Sequence, residues 1–131
     1  MFIDASAMTA VMTDEAEAPE LVARMNRSRT RLTSPLAVWE TTLAVARILR
    51  LPISEAAAAV EQLLAIADIR VVAVDPAVRN AAIEAYDRYG KSRHPAALNF
   101  GDCFAYACAR HAGMPLLYKG DGFPLTDIET A

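Results

Sequence analysis

The sequence of 131 residues is poor in cysteine and has no long apolar run. Its two cysteines are too few for a disulfide scaffold, and Cys103 and Cys108 lack the second ligand pair that a structural zinc site needs. No uncharged apolar run approaches the ~18 residues that suggest a membrane span. The opening residues MFID include an acid and no basic segment, which does not fit a secretory signal. We therefore expect a cytoplasmic protein with reduced thiols.

An excess of positive charge is also missing. Lys and Arg together number 13 against 16 for Asp and Glu, so the formal net charge is −3. Domains that coat nucleic-acid phosphates usually carry a clear excess of basic residues. The basic residues do form two local groups, which can follow a phosphate backbone, but a solvated face with local salt pairs is the simpler interpretation of each. The first group is Arg24, Arg27, Arg29 and Arg31, and the second is Arg88, Lys91, Arg93 and His94.

The remaining pattern predicts one α/β domain over residues 1–131. Apolar residues make up 54% of the chain, enough for a buried core. Strand-like segments alternate with segments of helical spacing, and this alternation predicts a mainly parallel sheet between helices. The predicted strands cover residues 2–4, 31–34, 69–74 and 114–118. The predicted helices cover residues 5–13, a segment from Pro19, and residues 35–50, 54–67, 76–89 and 100–112.

Some of these predictions are specific. Ser34, Ser54 and Asp75 are expected to cap helices, and Gly113 to end one. The compact run IRVVAV at residues 69–74 predicts a core strand. A stripe in the third helix is expected to be buried, and aromatic residues are assigned to the core rather than to base stacking. The stripe consists of Leu36, Trp39, Leu43 and Ala46, extended by Ile48 and Leu51, and the aromatic residues are Trp39, Phe104 and Tyr106.

Four acidic residues come from distant parts of the chain, and three of them lie near strand ends or helix starts. Asp4 ends the first strand, Asp102 lies near the start of a helix, and Asp121 follows the last strand. Glu40 lies in an otherwise apolar segment, LAVWETTLAVA. Sites in parallel sheets form beyond the carboxyl ends of the strands, so these residues are expected to converge there.

Converging carboxylates repel one another and lose hydration, so a protein keeps them together with a cation. An all-oxygen site favours Mg²⁺, with Mn²⁺ as a substitute, and a metal-bound water can attack a phosphodiester. Each acid alone also has an ordinary structural explanation. Asp4 and Asp102 suit helix starts, Glu40 a helix surface and Asp121 a turn.

Four segments make the sequence similar to a known family: MFIDASAM, LTSPLAVWETTLAVAR, ALNFGDCFAYACAR and GMPLLYKGDGFPLTDI. Together they resemble the PIN-domain ribonucleases of the VapC toxin group over essentially the whole chain. The resemblance implies a three-layer α/β/α sandwich and a Mg²⁺-dependent endoribonuclease, the toxic half of a toxin–antitoxin module. It assigns metal and catalytic roles to Asp4, Glu40 and Asp102.

The fourth acid departs from the family pattern. The family commonly has an acid directly before the phenylalanine of this turn, where this chain has Gly122. Asp121, one place earlier, is our candidate for the catalytic and metal-binding role, and Asp127 is an alternative. Ser6 and Asn99 are candidates for binding water or phosphate, although each also suits a helix cap.

The resemblance also implies partners: a VapB-type antitoxin that covers the acidic cleft, an RNA substrate with tRNA or rRNA as candidates, and a homodimer. A surface around Leu21, Met25 and Leu36 is a candidate partner site, with plain core as the alternative. Two other functions remain open at this point. One is a catalytically weakened PIN-fold module that binds RNA or protein, and the other is a phosphatase or nuclease acting on DNA.

Overall fold

The computed structural model describes residues 1–131 and consists of a small parallel sheet between two layers of helices, which confirms the predicted α/β fold. The four strands stand in the order β3–β2–β1–β4, and every pair of neighbours is parallel. Parallel neighbours need crossover connections, and helices supply them here. The strands are β1 (Phe2–Ile3), β2 (Arg31–Thr33), β3 (Ile69–Val71) and β4 (Leu116–Leu117).

Six helices cover the two faces of the sheet. A short 3₁₀ helix, Phe123–Leu125, follows the last strand. The helices are α1 (Ala5–Met12), α2 (Ala18–Asn26), α3 (Pro35–Leu49), α4 (Ile53–Ile66), α5 (Pro76–Tyr89) and α6 (Phe100–Ala112).

The alternation of side chains along the strands creates two separate cores. Phe2 and Leu116 pack into a cluster formed with α5 and α6. Their neighbours Ile3 and Leu117 point to the opposite face, into a cluster formed with α1, α2 and α4. Since successive residues of a strand face opposite sides, even a two-residue strand contributes to both cores. The apolar sequence FI before Asp4 is therefore buried on both faces.

The helix boundaries follow the predicted signals at most positions. The side chains of Ser34 and Asp75 accept hydrogen bonds from the backbone at the starts of α3 and α5, and a proline follows each of them. Gly113 ends α6 in the left-handed conformation, at a φ of 62°. The predicted cap at Ser54 is wrong, because α4 begins at Ile53 and Pro52 precedes it without a side-chain cap.

The predicted core strand at residues 69–74 is shorter and less buried than expected. β3 contains three residues and forms the edge of the sheet, with Arg70 and Val71 exposed. Val72 and Val74 follow it without strand geometry and pack against the α5–α6 cluster. The last strand is also shorter than predicted, with two residues instead of five. A run of β-branched residues indicated burial here, but it did not distinguish an edge strand from a central one.

The buried stripe predicted for α3 is wrong at most of its positions, and of its members Ala46 is the one that is buried. Trp39 is 65% exposed, and Leu43 and Ile48 are exposed as well. The helix instead buries a face of small and β-branched residues, and the Thr41 and Thr42 hydroxyls donate to the carbonyls four residues earlier. These bonds satisfy the hydroxyls and allow threonine to be buried. The buried residues are Ala37, Thr41, Thr42, Val45 and Ala46.

The other two aromatic residues assigned to the core do lie inside, and so do both cysteines. Tyr106 is buried and Phe104 is partly buried in the α5–α6 cluster. Burial raises the pKa of the Cys103 and Cys108 thiols to about 11, so both stay protonated at neutral pH. The two cysteines form no disulfide. None of the helices combines the length and the apolar character that crossing a bilayer requires.

Candidate active site

Asp4 lies at the carboxyl end of the central strand β1 and is almost fully buried, with 4% of its surface exposed. It is the N-cap of α1, and its Oδ2 accepts hydrogen bonds from the Ser6 backbone N–H at 2.9 Å and from the Ser6 hydroxyl. Burial raises the pKa of the Asp4 carboxyl in spite of these bonds. The sequence therefore places a desolvated carboxyl, with no Lys or Arg side chain bonded to it, at the edge where sites in parallel sheets form.

Asp102 comes to the same region from the first turn of α6. Its Oδ2 accepts a hydrogen bond from the Asn99 backbone N–H at 2.8 Å, and the Asn99 side chain accepts from the Asp102 N–H at 3.0 Å. This reciprocal capping box fixes the side chain at the helix start. Burial, and after it the charge of Asp4, raises the pKa of Asp102.

Glu40 is half-buried and projects from the middle of α3 toward the start of α6. Its carboxylate lies so close to Gly101 that a Cβ atom at that position would collide with Oε2. Burial raises the pKa of Glu40, and the charges of Asp4 and Asp102 raise it further. Gly101 thus provides the space that the Glu40 carboxylate occupies.

Residues 4, 40 and 102 therefore form one electrostatically coupled group of carboxyls. No Lys or Arg contributes to the pKa of any of the three, and all three shifts favour the neutral form. In this conformation the chain has no set of three or more Asp, Glu, His or Cys side chains arranged to hold a metal ion directly. The three carboxylates thus repel one another and have buried oxygen atoms, but they do not form a set of three direct metal ligands.

A model of the PIN domain matches residues 1–129. The chain belongs to the PIN-domain family. Among the PIN proteins it is 41% identical over 128 residues to a ribonuclease VapC from Mycolicibacterium smegmatis, covering 98% of this chain and 97% of that protein. It is 39% identical over 130 residues to ribonuclease VapC30 from Mycobacterium tuberculosis, covering 99% and 97% of the two chains. The resemblance to the VapC group is confirmed.

The solved structures support the same PIN fold. The crystal structure of Mycobacterium tuberculosis VapC20, described as a Sarcin-Ricin loop cleaving toxin, aligns with a TM-score of 0.76. The alignment covers 99% of this chain and 97% of that one at 20% sequence identity. At this identity the likeness concerns the fold alone, and the three-layer arrangement predicted from the sequence agrees with it.

The fourth predicted acid of this PIN domain, Asp121, is not part of the coupled group formed by the other three. Asp121 is exposed in the turn after β4 and borders a groove that also contains Glu17, Glu20 and Arg24. It contributes to the pKa of none of the three coupled carboxyls. A role for Asp121 at the metal remains a prediction.

Gly122 occupies the position where the family pattern has an acid, and its surroundings leave little room for a side chain. A Cβ atom there would lie 2.7 Å from the backbone oxygen of Ala96. An acid at residue 122 therefore requires a shift of this turn or of the loop before α6.

Asp127, the alternative fourth acid, is bound elsewhere. Its Oδ1 accepts from the Tyr106 hydroxyl at 2.6 Å, and Oδ2 lies 3.1 Å from Arg88 and 3.8 Å from Arg110. The hydrogen bond from Tyr106, together with the arginines, lowers its pKa. These contacts explain Asp127 as a structural residue beside α5 and α6.

Ser6 has a positioning role in the structure. Its hydroxyl donates to Asp4 and accepts from the Lys119 N–H at 3.0 Å, so it connects the central strand to the turn after β4. Asn99 is the N-cap of α6. The local sequence indicates a cap at Asn99, which the structure confirms, whereas the cap considered at Ser6 is wrong because Asp4 is the N-cap of α1. No local pattern indicates the space that Gly101 leaves to Glu40, because that contact joins helices about 60 residues apart.

Proposed function

We propose that this chain is a metal-dependent endoribonuclease that acts as the toxic component of a toxin–antitoxin module. The observation that carries the proposal is the coupled group Asp4, Glu40 and Asp102, which repel one another with no cationic side chain acting on them. Relatives named VapC ribonucleases, alike over nearly the full length, support the substrate class.

The residues present suit Mg²⁺ or Mn²⁺ in their donor chemistry. All three candidate ligands offer carboxylate oxygens, which hard divalent cations prefer. Mg²⁺ keeps several waters and needs only one or two protein carboxylates, so it does not require a closed set of three direct ligands. A bound cation supplies positive charge that offsets both the carboxylates and the phosphate, and it promotes attack by water on the phosphodiester.

The protein side chains have distinct tasks in this proposal. Asp4 and Asp102 would hold the cation, since capping hydrogen bonds fix both side chains. Glu40, half-buried on α3, completes the site or orients the attacking water. Hydrolysis by water leaves a 5′-phosphate and a 3′-hydroxyl.

A second component must silence such a nuclease in its own cell. We propose a VapB-type antitoxin whose C-terminal segment covers the carboxylate group. An arginine on that segment can form charge-assisted hydrogen bonds with Asp4, Glu40 or Asp102 and replace the cation. We also propose a homodimer, which would place two sites beside each other. Of the residues suggested as a partner surface, Leu21 and Met25 are buried and belong to the core, whereas Leu36 is partly exposed and stays a candidate.

The test is cleavage of an unstructured RNA by the purified chain, freed of antitoxin. We expect cleavage with Mg²⁺ or Mn²⁺, none with EDTA, and a loss in Asp4→Asn. Asp87→Asn is the matched control, because Asp87 is an exposed acid on α5 that pairs with Arg93 and does not act on the three coupled carboxyls. Cleavage that persists in EDTA and in Asp4→Asn would contradict the metal mechanism.

Two further readouts address the chemistry and the substrate. The ends of the products should be 5′-phosphate and 3′-hydroxyl, and 2′,3′-cyclic phosphate would instead show attack by the 2′-hydroxyl of the RNA. Equal cleavage of single-stranded DNA would contradict the choice of RNA.

A catalytically weakened binding module is the second candidate, and Gly122 is the observation that favours it. The family acid is absent at this position, and the Ala96 carbonyl leaves little space for it. This candidate predicts RNA binding by the chain without cleavage under any metal condition.

A further inference from the structure

A cavity of about 250 Å³ lies beside the coupled carboxyls, between α3 and the start of α6. It borders Glu40 directly, and Gly101 forms part of its wall next to the Glu40 carboxylate. Its other lining side chains include Trp39, Phe100 and Asn99. The cavity is therefore continuous with the proposed reaction site and has both apolar and polar walls.

The two most exposed aromatic side chains of the chain line this cavity. Trp39 is 65% exposed and Phe100 is 67% exposed. The ring of Phe100 packs against that of Phe104, with ring centroids 4.8 Å apart. This contact holds the Phe100 ring in place, while most of its surface stays exposed. Large exposed aromatic groups next to a reactive site indicate a binding surface, since burying them in the free protein would have been favourable.

We propose that this cavity receives an unpaired base of the RNA next to the cleaved bond, with Trp39 and Phe100 as the stacking surfaces. The inference rests on the proposed ribonuclease function and adds the residues that select single-stranded substrate. Unstacked bases of single-stranded RNA bind to aromatic side chains in this way.

The charges of the site favour a base over other parts of the RNA. A phosphate placed beside Glu40 without a cation would be repelled, whereas a base is neutral and tolerates the carboxylate. Asn99 offers a hydrogen-bond donor for the edge of a base, because its Oδ1 accepts from Asp102 while its Nδ2 makes no hydrogen bond in the structure. The cavity thus combines stacking surfaces with a polar group suited to base edges.

The chain itself provides a site-specific probe, since Trp39 is its single tryptophan. We would titrate the Asp4→Asn protein with an unstructured RNA 12-mer and follow the emission of Trp39, with an abasic ribose-phosphate 12-mer as the matched ligand. The proposal expects saturable quenching by the RNA and little by the abasic strand. Equal quenching by both strands, or by neither, would overturn it.

Variants separate binding from chemistry. Trp39→Ala and Phe100→Ala should each raise the KM for RNA cleavage by about 5- to 150-fold, the loss of one base–aromatic stack, with kcat changed far less. Trp39→Phe should retain most of the affinity, because a ring remains. Ile66→Ala is the control, as Ile66 is an 85% exposed apolar residue on α4 that does not line the cavity. Unchanged KM in both alanine variants would overturn the proposal.

The outcomes distinguish this inference from the proposed function. Base-dependent quenching in a protein that never cleaves RNA would support the base site while the nuclease proposal fails. Cleavage with normal KM in Trp39→Ala would support the nuclease and overturn the base site. If Trp39→Ala instead converts a dimer to a monomer in sedimentation without changing RNA affinity, Trp39 belongs to a contact between copies and the proposal is wrong.

Discussion

The surroundings of two acidic centres in this molecule shift the pKa values of their carboxyls in opposite directions. Asp127 receives a hydrogen bond from Tyr106 and lies beside Arg88 and Arg110, so its pKa is lowered. Asp4 and the carboxyls coupled to it have no basic partner, and their pKa values are raised. The same residue type is thus stabilised as an anion at one site and destabilised as an anion at the other.

The difference shows how this sequence separates structural from reactive acids. Arginines on α5 and α6 were available in the fold, yet they lie beside Asp127 rather than beside Asp4. A centre that the protein neutralises itself has no further need of a cation, whereas an uncompensated centre gains stability from a cation that binds it.

The largest expected effect concerns activity. Asp102→Asn keeps the oxygen that caps α6 but removes a charge from the coupled group, so cleavage should fall by about a hundredfold or more. Asp127→Asn should leave the cleavage rate near that of the unmodified chain, because its partners lie outside the group. Rates measured under identical Mg²⁺ concentrations test the comparison, and equal losses in the two variants would contradict it.

Gly101→Ala should come next in size. The added Cβ would displace the Glu40 carboxylate, and a displacement of about 1 Å at a reactive site can cost up to about 100-fold in rate. Stability should not fall correspondingly, since alanine favours helix over glycine. Cleavage rate and thermal midpoint measured together test this, and a stable variant with full activity would show that Glu40 is not required.

Stability should respond in opposite directions at the two centres. Without divalent cations at pH 7, Asp4→Asn should raise the thermal midpoint, because it removes a buried charge while asparagine still caps α1. Asp127→Asn should lower the stability by about 1 kcal/mol, a value suited to a partly exposed ion pair with one hydrogen bond.

The pH dependence of stability has a defined sign at each centre. Because its pKa is raised, Asp4 makes a contribution to folding stability that is complete below its ordinary pKa of 3.8. This contribution is lost as pH rises through the folded-state pKa. Because its pKa is lowered, Asp127 makes a contribution to folding stability that is present above its ordinary pKa of 3.8. This contribution is lost as pH falls through the folded-state pKa. Melting curves in EDTA from pH 3 to 8 should therefore show both variants approaching the unmodified chain at low pH. Added Mg²⁺ should stabilise the unmodified chain more than Asp4→Asn.

The smallest expected effect is that of Asp121→Asn. Asp121 is exposed and does not act on the coupled carboxyls, so the cleavage rate should change by no more than about 2- to 3-fold, the range of an ordinary surface substitution. A loss above tenfold would show that the turn after β4 brings this acid into the site when substrate binds.

Much of the fold could be predicted because local signals and tertiary packing agree. Ser34-Pro35, Asp75-Pro76 and Gly113 mark helix ends by backbone chemistry that depends on neighbouring residues alone. The exposed face of α3 could not be predicted in this way, since Trp39 and Leu43 have the same spacing as a buried stripe. Which face is buried depended on the neighbouring helices and on Thr41 and Thr42, whose hydroxyls bond within the helix.

The candidate site was predictable to a similar degree. The position of Asp4 after a strand and of Asp102 at a helix start follows from the order of elements along the chain. The contact between Glu40 and Gly101 depends on how α3 and α6 pack, and no local pattern encodes it. Asp121 and Asp127 both follow the final strand in the sequence, yet neither belongs to the group of coupled carboxyls. For these two residues, the order of elements along the chain was not enough to predict the site.

The position of β1 has a consequence for how the molecule is assembled. Phe2 pairs with Leu32 on one side and with Leu116 on the other, and the Asp4 N–H donates to the Leu117 carbonyl. Contacts between segments so far apart in the chain are associated with slow folding, because loop closure costs entropy before the contacts form. A nascent chain that has emerged only as far as Gly113 would already contain Asp4, Glu40 and Asp102, yet its first strand would lack one neighbour. The sheet beside the reactive centre can therefore be completed only after residues up to Leu117 have been synthesised.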